Sequence, residues 1–319
     1  MTSLPNQRAL TAGVCLVRDA VDMIPYLCGH YLRIGFDFLS FIDYGSSDGT
    51  YERLVRIARK SGRVRVMRVM HDVLKHKECL NAEISFLSNV GFGVVLPFDS
   101  DEFWYLSKSE LTAIAKNRTE RVIRASWTNF IQNRFVRDTN SFVALLPTRR
   151  LEPAESVANK DVTAFAAPFV GYRESKVGFV SSRPVSLGLG QHNVEGDLVE
   201  DCRQYEMFHL PLRARSELIK RGLNYEPRRT PRRQDANQSW QSAFHRRVVL
   251  EGRIDGVWAA NSVNYRGQLD VYGKTTPTLP DSRFRYLMLA AGGYFLRTFL
   301  VAPKSGIADE LNIELVSGA

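Results

Sequence analysis

Cysteine is scarce in this 319-residue chain, with four residues at positions 15, 28, 79 and 202. None forms a Cys-x-x-Cys pair and no histidine stands at zinc-ligand spacing, so neither a disulfide framework nor a structural zinc site organises the fold. Inert reduced thiols are expected instead. Long apolar runs are lacking too: no stretch reaches 18 consecutive apolar residues. The nearest approach, FRYLMLAAGGYFLRTFLVA from Phe284 to Ala302, is interrupted by Arg285 and Arg297 and carries Gly292-Gly293 at its centre. It reads as a packed or interfacial helix rather than a membrane span. The opening MTSLPNQRALTAG has neither the charged start nor the apolar core of a secretory signal, which sets the expectation of a cytoplasmic protein. Internal repeats and low-complexity segments are also missing. With 44% hydrophobic and 24% charged residues, collagen-like and wholly disordered readings fall away. The length predicts one large domain with an appended part.

What the chain does have is local positive charge. The net charge is +9, and Arg213 to Arg253 holds 11 basic residues against 4 acidic ones. Such a cluster suits phosphate groups of a nucleotide, a nucleic acid or an anionic membrane face. Pro227 and Pro231 make its centre, EPRRTPRRQD, extended or loop-like.

The first hundred residues alternate as β-α-β-α-β-α-β. Apolar runs at 12–17, 38–42, 63–69 and 93–98 predict strands. Helical spacing at 21–34, 51–60 and 76–89 predicts the connections. Short β-α spacing favours a parallel, doubly wound sheet, whose ligands bind beyond the carboxyl ends of the strands. Further along, the predicted elements are a helix at 109–117, strands at 121–127, 142–146 and 176–181, and a helix at 215–222. A boundary is placed near 150, giving a nucleotide-binding core (1–150), an acceptor-side half with the arginine-rich loop (151–280) and an apolar helix with its tail (281–319).

Two strand-end loops carry the candidate chemistry. Asp99-Ser100-Asp101 follows the apolar run VVLPF, and two carboxylates at i and i+2 on a strand end can address a divalent cation from one side. Positions remain for diphosphate oxygens, whose charge a hard cation offsets. The loop Asp43-Tyr-Gly-Ser-Ser-Asp-Gly-Thr50 offers an acidic acceptor for a ribose or base and backbone N–H groups at a helix start. Lys77 and Asn81 on the third helix are further candidates for the base, and Trp127 and Phe130 for stacking on a sugar face.

Val17-Arg18-Asp19 after the first strand, then HYLRIGFDFLSFIDYGSSDGT and VVLPFDSDEFW, together resemble family-two-like glycosyltransferases of the GT-A fold. The close part of the likeness spans about residues 12–106, with similar segments later at Ala125 to Phe130 and at FHLPLR followed by Lys220. The resemblance implies an α/β, Rossmann-like, mostly parallel sheet flanked by helices, with a C-terminal acceptor-side extension. It implies transfer of a sugar from a nucleotide diphosphate sugar to a hydroxyl of a carbohydrate or lipid-linked acceptor, with inversion. By position, Arg18, Asp19, Asp43, Ser47, Asp48, Lys77 and Asp99 would serve the nucleoside, and Asp99, Asp101 and His209 would hold Mn²⁺ or Mg²⁺. His192 is the rival histidine. Arg213 and Lys220 would meet the diphosphate, and Asp201 or Glu200 is the expected general base.

Two other readings stay open. A nucleotidyltransferase would use the same acidic pair and release pyrophosphate. A non-catalytic module would grip nucleic acid or an anionic membrane through Arg213 to Arg253, with affinity falling steeply in salt. Under the glycosyltransferase reading no nucleic acid is expected, and the arginine cluster with the apolar C-terminal stretch permits peripheral contact with an inner membrane face.

Overall fold

The structure is a computed structural model and describes residues 8–70, 76–139, 146–150, 174–223, 240–271, 274–299 and 307–318. The elements are β1 (Leu10–Val17), α1 (Ile24–Ile34), β2 (Phe38–Asp43), α2 (Thr50–Ser61), β3 (Val64–Arg68), α3 (His76–Asn89), β4 (Phe92–Pro97), β5 (Glu102–Tyr105), α4 (Lys108–Lys116), β6 (Arg121–Asn133), β7 (Arg149–Arg150) and β8 (Ser175–Val180). They continue with β9 (Ser186–Leu187), β10 (Val194–Glu195), β11 (Glu200–His209), α5 (Arg215–Leu223), α6 (Trp240–Leu250), α7 (Ile254–Ala260), β12 (Ser262–Val263), β13 (Gln268–Val271), β14 (Lys274–Pro277), β15 (Leu279–Pro280), α8 (Arg283–Phe299), α9 (Ile307–Leu311) and β16 (Val316–Gly318).

Local chemistry explains the early elements. Pro25 lies in the first turn of α1, where its missing N–H costs nothing, and Gly35 closes that helix at φ 109°. In α2, Leu54, Ile57, Ala58 and Ser61 recur at helical spacing and are the buried side. Ser107 and Glu110 form a reciprocal capping box at the start of α4.

The protein is α/β, with a mixed, mostly parallel central sheet flanked by helices. β3, β2, β1 and β4 run parallel. β8 joins β4 antiparallel, β6 joins β8 antiparallel, and β11 runs parallel to β6. β1 thus lies between β2 and β4, so the connections leave it in opposite directions. That reversal opens a crevice beyond the carboxyl ends of β1 and β4. One core, with Tyr31, Phe98, Phe103, Phe208 and Phe284, fills the α1 side of the sheet; another, with Phe38, Ile84, Phe92 and Phe179, fills the α3 side.

The structure bears on three expectations. The boundary near 150 does not divide two sheets, because β6 pairs with β8 and β11 from beyond it, so residues on both sides share one hydrogen-bonded ladder. The strand expected at 121–127 continues to Asn133, since β12 and β7 extend its pairing. The third is borne out: the apolar stretch from Phe284 forms a packed helix, with α8 running through Gly292-Gly293 and packing on α1. A Cβ on Gly29 of α1 would lie 2.1 Å from the Ala291 carbonyl oxygen. Close approach of the two helices therefore outweighs the weak helix propensity of the glycine pair. The strand expected at 142–146 and the loop EPRRTPRRQD fall largely or wholly outside the described residues.

Candidate active site

Three segments meet at the crevice: the turn after β1, the loop between β4 and β5, and the end of β11 leading into α5. The first is knitted to the loop after β2. Asp19, at φ 50°, accepts from the Ser47 backbone N–H at 2.8 Å, and its own N–H donates to Ser46 Oγ at 3.0 Å. Asp48 accepts from Thr50 N–H at 3.0 Å and from Val21 N–H at 3.1 Å. Ser47 and Asp48 therefore shape the loop. Asp43 is fully buried at the end of β2; one carboxylate oxygen accepts from Ser46 N–H at 3.2 Å, while Oδ2 has no hydrogen-bond partner. Burial raises the Asp43 pKa. A buried acceptor left unmade is costly in a folded chain, and it is free to receive an N–H or O–H.

The acidic loop splits into two halves with different company. Asp99 is joined at 2.7 Å by the ammonium of Lys176, which comes from β8, is 1% exposed, and also lies 3.1 Å from Glu102. Burial works to raise the Asp99 pKa, but Lys176 outweighs it and holds the carboxyl below its ordinary value. Burial likewise opposes the Lys176 charge, and Asp99 and Glu102 overcome it, so the ammonium stays charged. Glu102 is fully buried and is pushed up to about 8 by burial, against the pull of Lys176. Its Oε2 accepts the Asp99 backbone N–H at 2.7 Å, fixing the turn.

Asp101 faces the other way, toward His209 Nε2 at 3.9 Å and Arg221 Nη2 at 3.3 Å. His209 Nδ1 is bonded to Asn129 Oδ1 at 2.7 Å, and its ring packs against Trp127 with centroids 4.2 Å apart. An amide oxygen can only accept, so Nδ1 carries the proton and Nε2 presents a lone pair toward Asp101. Burial lowers the His209 pKa to about 4, keeping the ring neutral. A carboxylate and a neutral imidazole whose far nitrogen is held by a second residue suit a divalent cation of the Mn²⁺ or Mg²⁺ type. Such ions complete their shell with water and phosphate oxygens. Among the described residues no three His, Cys, Asp or Glu side chains converge as a full metal cage.

Behind Asp101 runs a buried charge network. Arg221 Nη2 donates to Glu217 at 2.7 Å, Glu217 lies 3.1 Å from Arg213 Nη2, and Arg213 Nε is 3.2 Å from Asp22. Arg213 is buried, yet its Nε and Nη1 lack hydrogen-bond partners. Burial works against its charge, while Glu217 and Asp22 hold it charged.

Several predicted residues lie elsewhere. Asp201 and Glu200 are not in the crevice: they precede His209 by eight and nine residues on β11, roughly 20 Å or more at strand rise. There they pair with Arg121 and Arg124, so the general-base expectation is corrected by distance and by occupied oxygens. Lys220 is exposed, whereas its neighbour Arg221 reaches Asp101. Lys77 pairs with Glu195 of β10, and Asn81 brackets Leu187, so both tie α3 to the β9–β10 hairpin. Arg18 lies 3.9 Å from Asp19 at the crevice mouth. His192 stands on the other side of Trp127, bonded to the Ser175 carbonyl at 2.6 Å.

Sequence reasoning did not find Lys176, Asn129, Asp22 or Arg221. Lys176 opens an apolar strand that is distant in sequence from the acidic loop, so no local spacing joins them. Asn129 lies in the Ala125 to Phe130 segment flagged by resemblance, without a role. No protein-family model matches this chain, and no curated protein matches it.

Proposed function

We propose that this chain is a GT-A glycosyltransferase that moves a sugar from a nucleotide diphosphate sugar to an acceptor hydroxyl with the help of a divalent cation. The observation that carries this reading is the pairing of Asp101 with a neutral, tautomer-locked His209 at a topological switch point, backed by a buried arginine whose Nη1 is unmet. Asp43 Oδ2 would receive an N–H of the base or a ribose hydroxyl, and Asp99, kept ionised by Lys176, would accept from the ribose. Asp101 and His209 would hold Mn²⁺ or Mg²⁺, which when bound offsets diphosphate charge as the glycosidic bond breaks. Arg213 and Arg221 would steady the same leaving group, and the burial of Arg213 strengthens that electrostatic effect. Trp127, beside His209, would cover an apolar sugar face.

The test is a melting screen of UDP, GDP, TDP and CMP sugars with and without Mn²⁺, followed by product analysis. A bound donor raises the melting temperature by mass action, and turnover releases a nucleoside phosphate. Failure of every donor to bind or turn over would overturn the reading, and a pyrophosphate product would reassign it to nucleotidyl transfer.

A further inference from the structure

Beyond Asn129, β6 runs on into a cavity of about 300 Å³ whose lining includes Ile131, Asn133, Arg149, Val263, Tyr265 and Arg285. Ile131 and Asn133 follow Asn129 by two and four residues on the same strand, roughly 7–13 Å along it at strand rise. The cavity thus opens near the metal-type pair rather than within it. No Asp or Glu belongs to its lining among the described residues.

The arginines around it divide sharply. Arg150 is paired with Asp281 at 3.0 Å, and Arg283 with Glu206 and Asp281 at 2.7 and 2.8 Å. Their neighbours Arg149 and Arg285 line the cavity, and neither has a carboxylate partner among the described residues. Arg149 Nη1 donates to the Thr278 carbonyl at 3.2 Å. Gly267, at φ 71°, is what lets that guanidinium lie close: a Cβ there would sit 2.4 Å from Arg149 Cζ. Two guanidiniums lining one cavity, with no acid among the described residues to neutralise them, suit an oxyanion. Ile131 and Val263 in that lining are buried.

We infer that Arg149 and Arg285 bind an oxyanion carried by the acceptor, a phosphate or carboxylate on the saccharide or on its carrier. The assignment of this anion to the acceptor rests on the glycosyltransferase reading; the anion site itself does not.

Titration calorimetry in buffer free of divalent cations, with inorganic phosphate and glucuronate as probes and glucose as the neutral control, tests the site. Saturable binding of both anions and none of glucose is expected, at least tenfold weaker in Arg285→Gln and in Arg149→Gln. Arg285 is exposed, so its variant folds, and melting curves verify this. Equal anion binding by the wild type and both arginine variants overturns the proposal even if donor turnover is intact. Arginine-dependent anion binding with no turnover of any sugar nucleotide leaves the site standing and sinks the donor reading instead. Arginine-dependent binding to phosphatidylglycerol vesicles but not phosphatidylcholine vesicles places the anion on a lipid; glucuronate or phosphate binding without vesicle binding places it on a soluble acceptor.

Discussion

Two buried ionic clusters in this protein are built from similar residues and finished differently. Between β2, β3, α3 and β16, Arg65 meets Glu83 at 2.6 Å, Ser40 donates to the same carboxylate at 2.6 Å, and the remaining guanidinium nitrogens donate to the Glu314 carbonyl and Ser317. No nitrogen or oxygen of Arg65 or Glu83 is left over. Around Asp22, Arg213 and Glu217 the charges also roughly cancel and Arg213 Nε faces Asp22 at 3.2 Å, yet Arg213 Nη1 stays without a hydrogen bond. Since buried polar groups are nearly always satisfied, the first cluster is a complete fastening, whereas the second leaves one guanidinium nitrogen open.

That contrast can be broken by mutation. Removing one member of the finished cluster strands a buried charge, so Glu83→Ala should lower stability by about 3–5 kcal/mol in urea unfolding; a cost below about 1 kcal/mol would show that Arg65 finds another partner. Asp101→Asn should leave stability within about 1 kcal/mol while lowering metal-dependent turnover roughly 10²–10³-fold, the usual loss when a transition-state electrostatic group is removed. Unchanged turnover would release the acidic loop from its role.

Lys176→Met sharpens the comparison within the acidic loop itself. It leaves Asp99 and Glu102 facing each other without the ammonium. The expected result is destabilisation by about 3–5 kcal/mol, with weaker nucleotide binding but metal affinity little changed. Equal loss of metal and nucleotide affinity would contradict the division between Asp99 and Asp101.

The smallest effect is on pH. His209 and His30 are buried, and burial lowers their pKa values to about 4 and about 3. An unfolded histidine takes up its proton near pH 6.5, so between about 6.5 and 4 the unfolded state binds more protons and stability falls as pH drops. His209→Gln should flatten part of that acid-side loss in melting temperatures measured from pH 7 to 5; an unchanged slope would mean that His209 is not kept neutral.

The legibility of the molecule follows the range of its interactions. From residue 10 to 98 each strand and helix is set by local apolar spacing, prolines and glycines, and the predicted elements fall within a few residues of the observed ones. The acidic loop was equally visible because both carboxylates lie on one turn. Asp201 and Glu200 misled for the opposite reason: acidity near His209 in sequence says nothing about reach when an extended strand separates them. Lys220 misled by a single position, since only the rotation of α5 decides whether it or Arg221 faces Asp101.

By itself the sequence determined the alternation of strands and helices, the place of the acidic loop at a strand end and the absence of any run long enough to span a membrane, because these depend on neighbours in the chain. Only the tertiary structure decided that Lys176 neutralises Asp99, that Asn129 sets the His209 tautomer and that Arg149 and Arg285 share a cavity with no acid among the described residues lining it. Those facts join residues tens or more than a hundred positions apart, and only the packing of distant strands, loops and helices brings such residues together.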